Sequence, residues 1–192
     1  YNLEARGDAL LIFQQLPSHA VRRVALGSGL SGGGGGVGVM ACDACSKAGL
    51  VVPQFSKETQ EQLRHLLPPV GVIVENPLDM GGRASSPELL EACLKACAND
   101  TQIDLIIVDL HVGKLADNSG EERVRNISEL LIRVAHQLPK PIVVVAKPGL
   151  TPQLCLEVQQ NMAKSGLAVF SSIGQAARAL ALLNAWREFS LP

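Results

Sequence analysis

A glycine-rich stretch, residues 27–40, is the best candidate for a chemical role in this 192-residue sequence. It separates an apolar run that predicts a buried strand, residues 24–26, from a helix predicted at residues 37–48. Glycine lets backbone amides approach a ligand closely, and the first amides of a helix have no carbonyl partner within the helix. These amides and the helix dipole favour a negatively charged group. The stretch therefore predicts an anion site, most simply for phosphate.

The glycine pattern matches neither of the two common nucleotide-binding motifs. The P-loop requires Lys and then Ser or Thr after its last glycine, and residues 37–39 supply neither. The dinucleotide fingerprint can be placed on Gly27, Gly29 and Gly32. The acidic residue that should follow about 20 positions later is missing at residues 51–53. A surface turn that binds nothing is the alternative, and the residues alone leave both open.

Short apolar runs alternate with helical patterns along the chain. This rhythm predicts a doubly wound α/β domain, in which helices cover both faces of a parallel sheet. Five strands in the order 2-1-3-4-5 are the simplest assignment. The predicted strands are residues 24–27, 50–53, 103–110, 141–146 and 166–170. Residues 1–20 are predicted to be an entry helix or linker, and residues 21–192 the domain itself.

The predicted topology places the glycine-rich stretch beside the point where the strand order reverses, which is where ligands bind in such sheets. The loop predicted at residues 110–119, after the third strand, borders the same point. Its His111 could contact phosphate or accept a phosphoryl group, and an ordinary loop histidine is the alternative. Lys147, after the fourth strand, could meet an anion or be a solvated loop lysine. Asp109 could orient a donor or cap the next turn.

A second polar loop is predicted at residues 75–82, where Asn-Pro and Gly-Gly pairs interrupt the regular pattern. Its Asn76 and Asp79 could contact a ligand. Asn and Asp beside proline also bond routinely to backbone groups, so a structural role in holding the loop is the favoured alternative.

The composition disfavours several classes of protein. The net charge is −1 and aromatic residues make up 3% of the chain, so neither nucleic acid nor a membrane surface is an expected partner. No apolar run reaches the length of about 18 residues that spans a bilayer, and we expect a cytoplasmic protein. Five cysteines in predicted helices argue against a disulfide framework. Cys42-x-x-Cys45 is a weak candidate for a redox or metal pair, so no metal site is predicted.

Four short motifs follow one another in the first half of the chain. Residues 35–44 contain a glycine loop followed by a helix that carries A-C-D-A, and residues 48–50 read A-G-L. L-L-P-P at residues 66–69 and N-P-L-D at residues 76–79 complete the series. In this order the motifs resemble the last flavodoxin-like domain (the ligase-CoA domain) of nucleoside-diphosphate-forming acyl-CoA synthetases, relatives of succinyl-CoA synthetase. The resemblance implies a flavodoxin-like three-layer α/β/α fold.

The same resemblance implies a role in phosphoryl transfer. Enzymes of this family form an acyl phosphate and a phosphohistidine, and so pass phosphate between acyl-CoA chemistry and a nucleotide. A helix of the resembling domain points its N-terminus at the phosphohistidine, and here that helix would begin near residue 37. The amides offered to the phosphoryl oxygens would be those of Gly35, Gly36, Val37 and Gly38.

The resemblance also implies what the chain requires from elsewhere. CoA and ATP or ADP with Mg²⁺ are the expected cofactors of the full enzyme, with none bound tightly by this domain. The expected partners are CoA-binding, phosphohistidine and ATP-grasp domains or subunits of the same ligase, and self-association is left open. None of the four histidines lies in the S-H-T-G-A context of the phosphorylated residue. We therefore expect this chain to be a fragment that is inactive alone.

Two departures from the family pattern leave other functions open. Val37 replaces the usual proline of the loop, and residues 29–32 resemble an insertion of about four residues that could loosen the site. One alternative is a non-catalytic regulatory module that binds CoA or a nucleotide. The other is a structural assembly domain whose degenerate loop binds nothing.

Overall fold

The computed structural model describes residues 12, 16, 21–28, 34–82 and 86–190, and within them the chain forms five strands and seven helices. The strands are β1 (Val24–Ser28), β2 (Leu78–Asp79), β3 (Leu105–His111), β4 (Ile142–Lys147) and β5 (Ala168–Phe170). The helices are α1 (Gly34–Lys47), α2 (Lys57–Leu66), α3 (Pro87–Asn99), α4 (Val112–Ser119), α5 (Glu121–Ala135), α6 (Pro152–Lys164) and α7 (Ile173–Ser190).

All five strands are parallel and lie in one sheet in the order β2-β1-β3-β4-β5. The register pairs Leu26 of β1 with Ile107 of β3, and Val108 of β3 with Val144 of β4. The predicted α/β class, the three-layer flavodoxin-like arrangement and the strand order 2-1-3-4-5 are therefore confirmed. Because the strands share one direction, their carboxyl ends lie at one edge of the sheet, where ligands bind in such folds.

The sheet separates two apolar cores, because successive side chains of a strand point to opposite faces. On β3, Ile106, Val108 and Leu110 join the core that the sheet shares with α2 to α6. Leu105 and Ile107 join the core that the sheet shares with α1 and α7. Both faces of β3 and β4 are thus covered, which explains why their sequences are almost continuously apolar.

The second strand is not where the sequence predicts it. Residues 50–53 contribute only Val51, which forms an isolated parallel bridge with Arg23 just before β1. The strand beside β1 is instead Leu78–Asp79, in a segment predicted to be loop. Pro53 has no amide to donate and therefore ends any ladder that begins at Val51. The edge beside β1 is consequently made from two short pieces.

The side chain of Asn76 closes the gap between these two pieces. Its Oδ1 accepts a hydrogen bond from the Leu26 amide at 2.9 Å, and its Nδ2 donates to the Val24 carbonyl at 2.8 Å. Nδ2 also donates to the Pro53 carbonyl at 2.8 Å, and Asn76 is only 4% exposed. One carboxamide thus pairs with β1 as the backbone of a neighbouring strand would.

The prediction of a loop at residues 110–119, after the third strand, is also wrong, because residues 112–119 form the helix α4. Val112 and Leu115 are buried in the core, and His111 caps the start of the helix. Burial of this apolar side of α4 outweighs the low helix propensity of its Gly, Asp and Asn residues.

Most of the predicted entry helix lies outside the described residues, as does the predicted insertion at residues 29–32. Of residues 1–20 only Ile12 and Leu16 are described. The Leu16 amide donates to the Ile12 carbonyl at 3.1 Å, and Ile12 is fully buried in the core beside α1. Among the described helices, none is both long and apolar enough to cross a membrane.

Candidate functional site

The carboxyl edge of the sheet brings together the start of α1, Asp109 of β3 and Lys147 of β4. On β3, Ile107 belongs to the core shared with α1, and Asp109 follows two residues later on the same face. On β4, Val145 belongs to the same core, and Lys147 follows it in the same way. The side chains of Asp109 and Lys147 therefore lie on the face of the sheet that α1 covers.

The first turn of α1 has no side chain of its own that could bond to its amides. Residues 32–36 are all glycine, and the turn contains no acidic residue. Side chains of Ser56, Ser86 and His111 accept hydrogen bonds from the first turns of α2, α3 and α4, whereas α5 and α6 have no side-chain cap. Glycine at these positions supplies no capping side chain, and first-turn amides with the positive end of the helix dipole are the arrangement that binds oxyanions.

The start of α1 lies at Gly34, earlier than the predicted start at residue 37. Gly35 and Gly36 are therefore in the first turn, where an amide has no carbonyl four residues earlier within the helix. Val37 and Gly38 come later, where regular helical bonds engage the amides. A side chain at Gly36 would meet no atom within 4 Å, so this position borders open space. Gly35 and Gly36 are the better placed of the four predicted donors.

Asp109 and Lys147 form a partly buried ion pair. Lys147 Nζ lies 2.7 Å from Asp109 Oδ2, and the two side chains are 29% and 6% exposed, respectively. The second carboxylate oxygen of Asp109, Oδ1, is buried and has no hydrogen-bond partner among the described residues. Buried polar atoms are nearly always paired, so this oxygen indicates a place for a further donor. The sequence shows both residues at the edge, but it does not show that they pair.

His111 ends β3 and supports the neighbouring loop. Its Nδ1 accepts a hydrogen bond from the Lys114 amide at 3.3 Å and thereby caps α4. A side chain on Gly149 would lie 3.0 Å from the His111 ring, and one on Gly113 would lie 2.5 Å from the Pro148 carbonyl oxygen. This close packing between α4 and the loop after β4 holds the carboxyl edge together, and it has no signature in the sequence beyond the glycines themselves.

Asn76 and Asp79 both hold backbone groups. Asn76 bonds to β1 as described above, and an Asp79 oxygen accepts a hydrogen bond from the Gly81 amide at 2.9 Å. Asp79 is 7% exposed and pairs with Ser28 at the end of β1. These contacts support the structural role for both residues and place them beside the strand that leads into α1.

Four of the five cysteines are buried in the core, and Cys42 is partly buried beside it. All five thiols are free, and burial raises the pKa of Cys45 and of Cys93 to about 12. The thiolate is the reactive form of cysteine, so such thiols are inert at neutral pH. The described part of the chain also contains no group of three or more His, Cys, Asp or Glu side chains that could hold a metal ion.

Comparison with known proteins identifies the family. The model of the Ligase-CoA domain matches residues 29–151, which is more than half of the chain. The chain belongs to the Ligase-CoA domain family. A curated relative of this Ligase-CoA domain is the alpha subunit of ADP-forming acetate–CoA ligase II from Pyrococcus furiosus, 27% identical over 136 residues. The match covers 71% of this chain and 28% of that relative. The resemblance to nucleoside-diphosphate-forming acyl-CoA synthetases is thus confirmed.

Two solved structures share the fold of this Ligase-CoA domain. PH0766 from Pyrococcus horikoshii OT3 superposes with a TM-score of 0.73 at 23% identity, over 99% of this chain and 41% of that protein. The dinucleotide-forming acetyl-coenzyme A synthetase 1 of Ca. Korarchaeum cryptofilum was solved in complex with phosphate and ADP. It superposes with a TM-score of 0.69 at 17% identity, over 100% of this chain and 40% of that protein. The chain therefore spans less than half the length of each of these relatives.

Proposed function

We propose that this Ligase-CoA domain is part of an ADP-forming acyl-CoA ligase, in which the start of α1 binds the phosphoryl group that passes between acyl-CoA and nucleotide. The observation that carries the proposal is the glycine start of α1, whose first turn supplies no side chain that could bond to its own amides. It lies at the carboxyl edge of the sheet, on the face to which Lys147 points. The name of the curated relative, an ADP-forming acetate–CoA ligase subunit, supports the reaction class.

Backbone amides suit a phosphoryl group that must be bound and then released. The helix fixes their direction, so they stabilise negative charge without rearranging during the reaction. They also do so without a metal ion or a titrating side chain. Lys147 adds an ammonium donor at a defined position, because Asp109 Oδ2 lies 2.7 Å from its Nζ and balances its charge. Such a site binds phosphate without reacting with it, so the phosphorylated histidine and the leaving groups come from elsewhere.

We assign the other parts of the reaction to further domains or subunits. The relatives are longer than this chain, and the CoA site, the phosphohistidine and the ATP or ADP site with Mg²⁺ are proposed to lie in regions that this chain does not include. Val39 and Met40 of α1 are 70% and 74% exposed, which is unusual for large apolar side chains. We expect them to contact the phosphohistidine domain as it approaches the helix start. The isolated chain is expected to be inactive.

Two substitutions of Gly36 test the proposed site, because a side chain there would meet no atom within 4 Å. Gly36→Asp places a carboxylate in the first turn, where it complements the helix dipole but repels a phosphoryl group. We expect its melting temperature to be maintained or raised, and its affinity for inorganic phosphate, measured by calorimetry, to fall by about tenfold or more. With the partner domains supplied, acyl-CoA formation should be lost.

Gly36→Ala is the matched control, because it stabilises the helix by about 1 kcal/mol without adding charge. It should keep phosphate binding and acyl-CoA formation. If Gly36→Asp binds phosphate as well as Gly36→Ala does, the helix start is not the phosphate site. If Gly36→Asp loses phosphate binding but still supports acyl-CoA formation, the site is regulatory rather than part of the reaction path.

A further inference from the structure

We propose that Asp109 makes this site selective for oxyanions that carry a proton, such as hydrogen phosphate, over fully ionised oxyanions such as sulfate. The inference rests on the proposed function, because it concerns the anion bound at the start of α1. Its basis is the Oδ1 atom of Asp109, which is buried and has no hydrogen-bond partner among the described residues. The residue as a whole is only 6% exposed.

Asp109 lies at the carboxyl end of β3, on the face of the sheet that α1 covers. In the parallel register Gly27 pairs with Val108, so the next residues, Ser28 and Asp109, are neighbours at the carboxyl ends of β1 and β3. The side chain of Asp109 points to the face of the sheet that α1 covers, since Ile107, two residues earlier, is in the core shared with α1. The end of β1 and the carboxylate of Asp109 thus lie at the same edge of the sheet, and the carboxylate lies on the face that α1 covers.

Lys147 offsets the charge repulsion between the Asp109 carboxylate and a bound anion. Its ammonium lies 2.7 Å from Oδ2 and balances the negative charge of Asp109. The Lys147 side chain is still 29% exposed, so the same ammonium can also contact a bound anion. Oδ1 then remains as an acceptor that the Lys147 contact does not satisfy, and a carboxylate oxygen can only accept.

The chemistry of the anion decides whether Oδ1 stabilises or opposes binding. At neutral pH hydrogen phosphate carries a P–O–H group, which can donate to Oδ1 while its other oxygens accept from the α1 amides and Lys147. Sulfate carries no proton, so one of its oxygens would face Oδ1 without a hydrogen between them. Because the missing bond of Oδ1 is made only in the complex, it strengthens binding of the protonated anion specifically.

Calorimetric titration of the 192-residue chain with inorganic phosphate, arsenate and sulfate at equal ionic strength tests the inference. Phosphate and arsenate both carry a proton at neutral pH and should bind about tenfold or more tightly than sulfate. Asp109→Asn keeps the shape of the side chain but can donate, so the ratio of phosphate to sulfate affinity should fall to about one. Lys147→Gln is the matched variant and should weaken both anions while preserving the ratio.

Each outcome of these titrations supports or overturns the proposed selectivity. Equal affinity of the wild-type chain for phosphate and sulfate, or a ratio that survives in Asp109→Asn, overturns the selectivity and leaves the proposed phosphate site intact. A water molecule bound permanently to Oδ1 would give that result. Binding of neither anion overturns the selectivity together with the proposed function. If circular dichroism shows that Asp109→Asn does not fold, the order of phosphate, arsenate and sulfate on the wild-type chain decides alone.

Discussion

Asn76→Asp changes a single group of the carboxamide that completes the sheet beside β1. The substitution keeps Oδ1, which accepts from the Leu26 amide at 2.9 Å. It replaces Nδ2, which donates to the carbonyls of Val24 and Pro53 at 2.8 Å each, with a second oxygen. At neutral pH this oxygen is charged and faces two carbonyl oxygens. We expect the variant to fold with a much lower free energy of unfolding.

The expected loss is about 4 kcal/mol, because two donor–acceptor pairs are broken, an unsatisfied partner costs about 1–3 kcal/mol and the new charge faces both carbonyl oxygens. At the Val24 carbonyl water cannot replace the lost donor, since Asn76 is 4% exposed and Val24 is fully buried. The total stability of a domain is typically about 5–15 kcal/mol, so the loss is large enough to shift the urea midpoint clearly.

Lowering the pH should restore part of the free energy of unfolding that Asn76→Asp loses. Burial and the two carbonyl oxygens raise the folded-state pKa of the new carboxyl group above its unfolded value of about 3.9. The folded state then binds the proton more tightly than the unfolded state does. The deficit is therefore smallest below the unfolded-state pKa and grows as the pH rises through the folded-state pKa. The difference between variant and wild type should shrink as the pH falls from about 7 to about 4.

Urea unfolding followed by circular dichroism at several pH values measures both effects. Asn126→Asp is the matched control, because Asn126 is exposed on α5 and acquires the same charge. It should stay within about 0.5 kcal/mol of wild type. If Asn76→Asp costs no more than this control, or if its deficit is constant as the pH falls, the carboxamide does not act as part of the sheet.

Two further substitutions test the packing of the carboxyl edge and a surface charge cluster. Gly113→Ala should lower the melting temperature, with a loss of about 1–3 kcal/mol, because its Cβ would lie 2.5 Å from the Pro148 carbonyl oxygen. An unchanged melting temperature would show that α4 and the loop can separate without cost. Arg133 is the main cause that lowers the pKa of Glu91 to about 2, so the stability from Glu91 is present above its ordinary pKa of 4.5 and is lost as the pH falls through 2. Glu91→Gln should flatten that part of the pH dependence in urea unfolding, and an unaltered slope would contradict the ion pair.

The central strands could be predicted because both of their faces are buried. An almost continuous run of apolar residues is sufficient evidence for β3 and β4. The edge strand β2 could not be predicted, because it is two residues long and depends on the side chain of Asn76 and on a bridge to Ile73. Residues 50–53 match the apolar pattern better, yet Val51 is 53% exposed and forms only a bridge. The hydrophobic pattern of a segment indicates that it is buried, but it does not indicate which of two edge segments pairs with β1.

The location of the candidate site could be inferred from topology, whereas its geometry could not. Parallel strands determine which loops share an edge, so the glycine-rich stretch and Lys147 were expected near each other. The start of α1 at Gly34 was missed, because glycine has a low helix propensity and the surrounding contacts decide the outcome. The pairing of Asp109 with Lys147, and the unpaired Oδ1, depend on side-chain packing that a one-dimensional pattern does not contain.

The composite edge beside β1 also affects how this domain meets other molecules. A foreign strand can extend a sheet only where several backbone amides in a row are vacant. Here the outer side of Asp79 is bonded to Ile73 in both directions at 2.9 Å, and a side chain occupies the stretch between β2 and Val51. Within the described residues this margin offers an incoming chain no continuous template. The β2 edge therefore does not favour fibril growth by strand addition, although the protein is rich in Val, Leu and Ile.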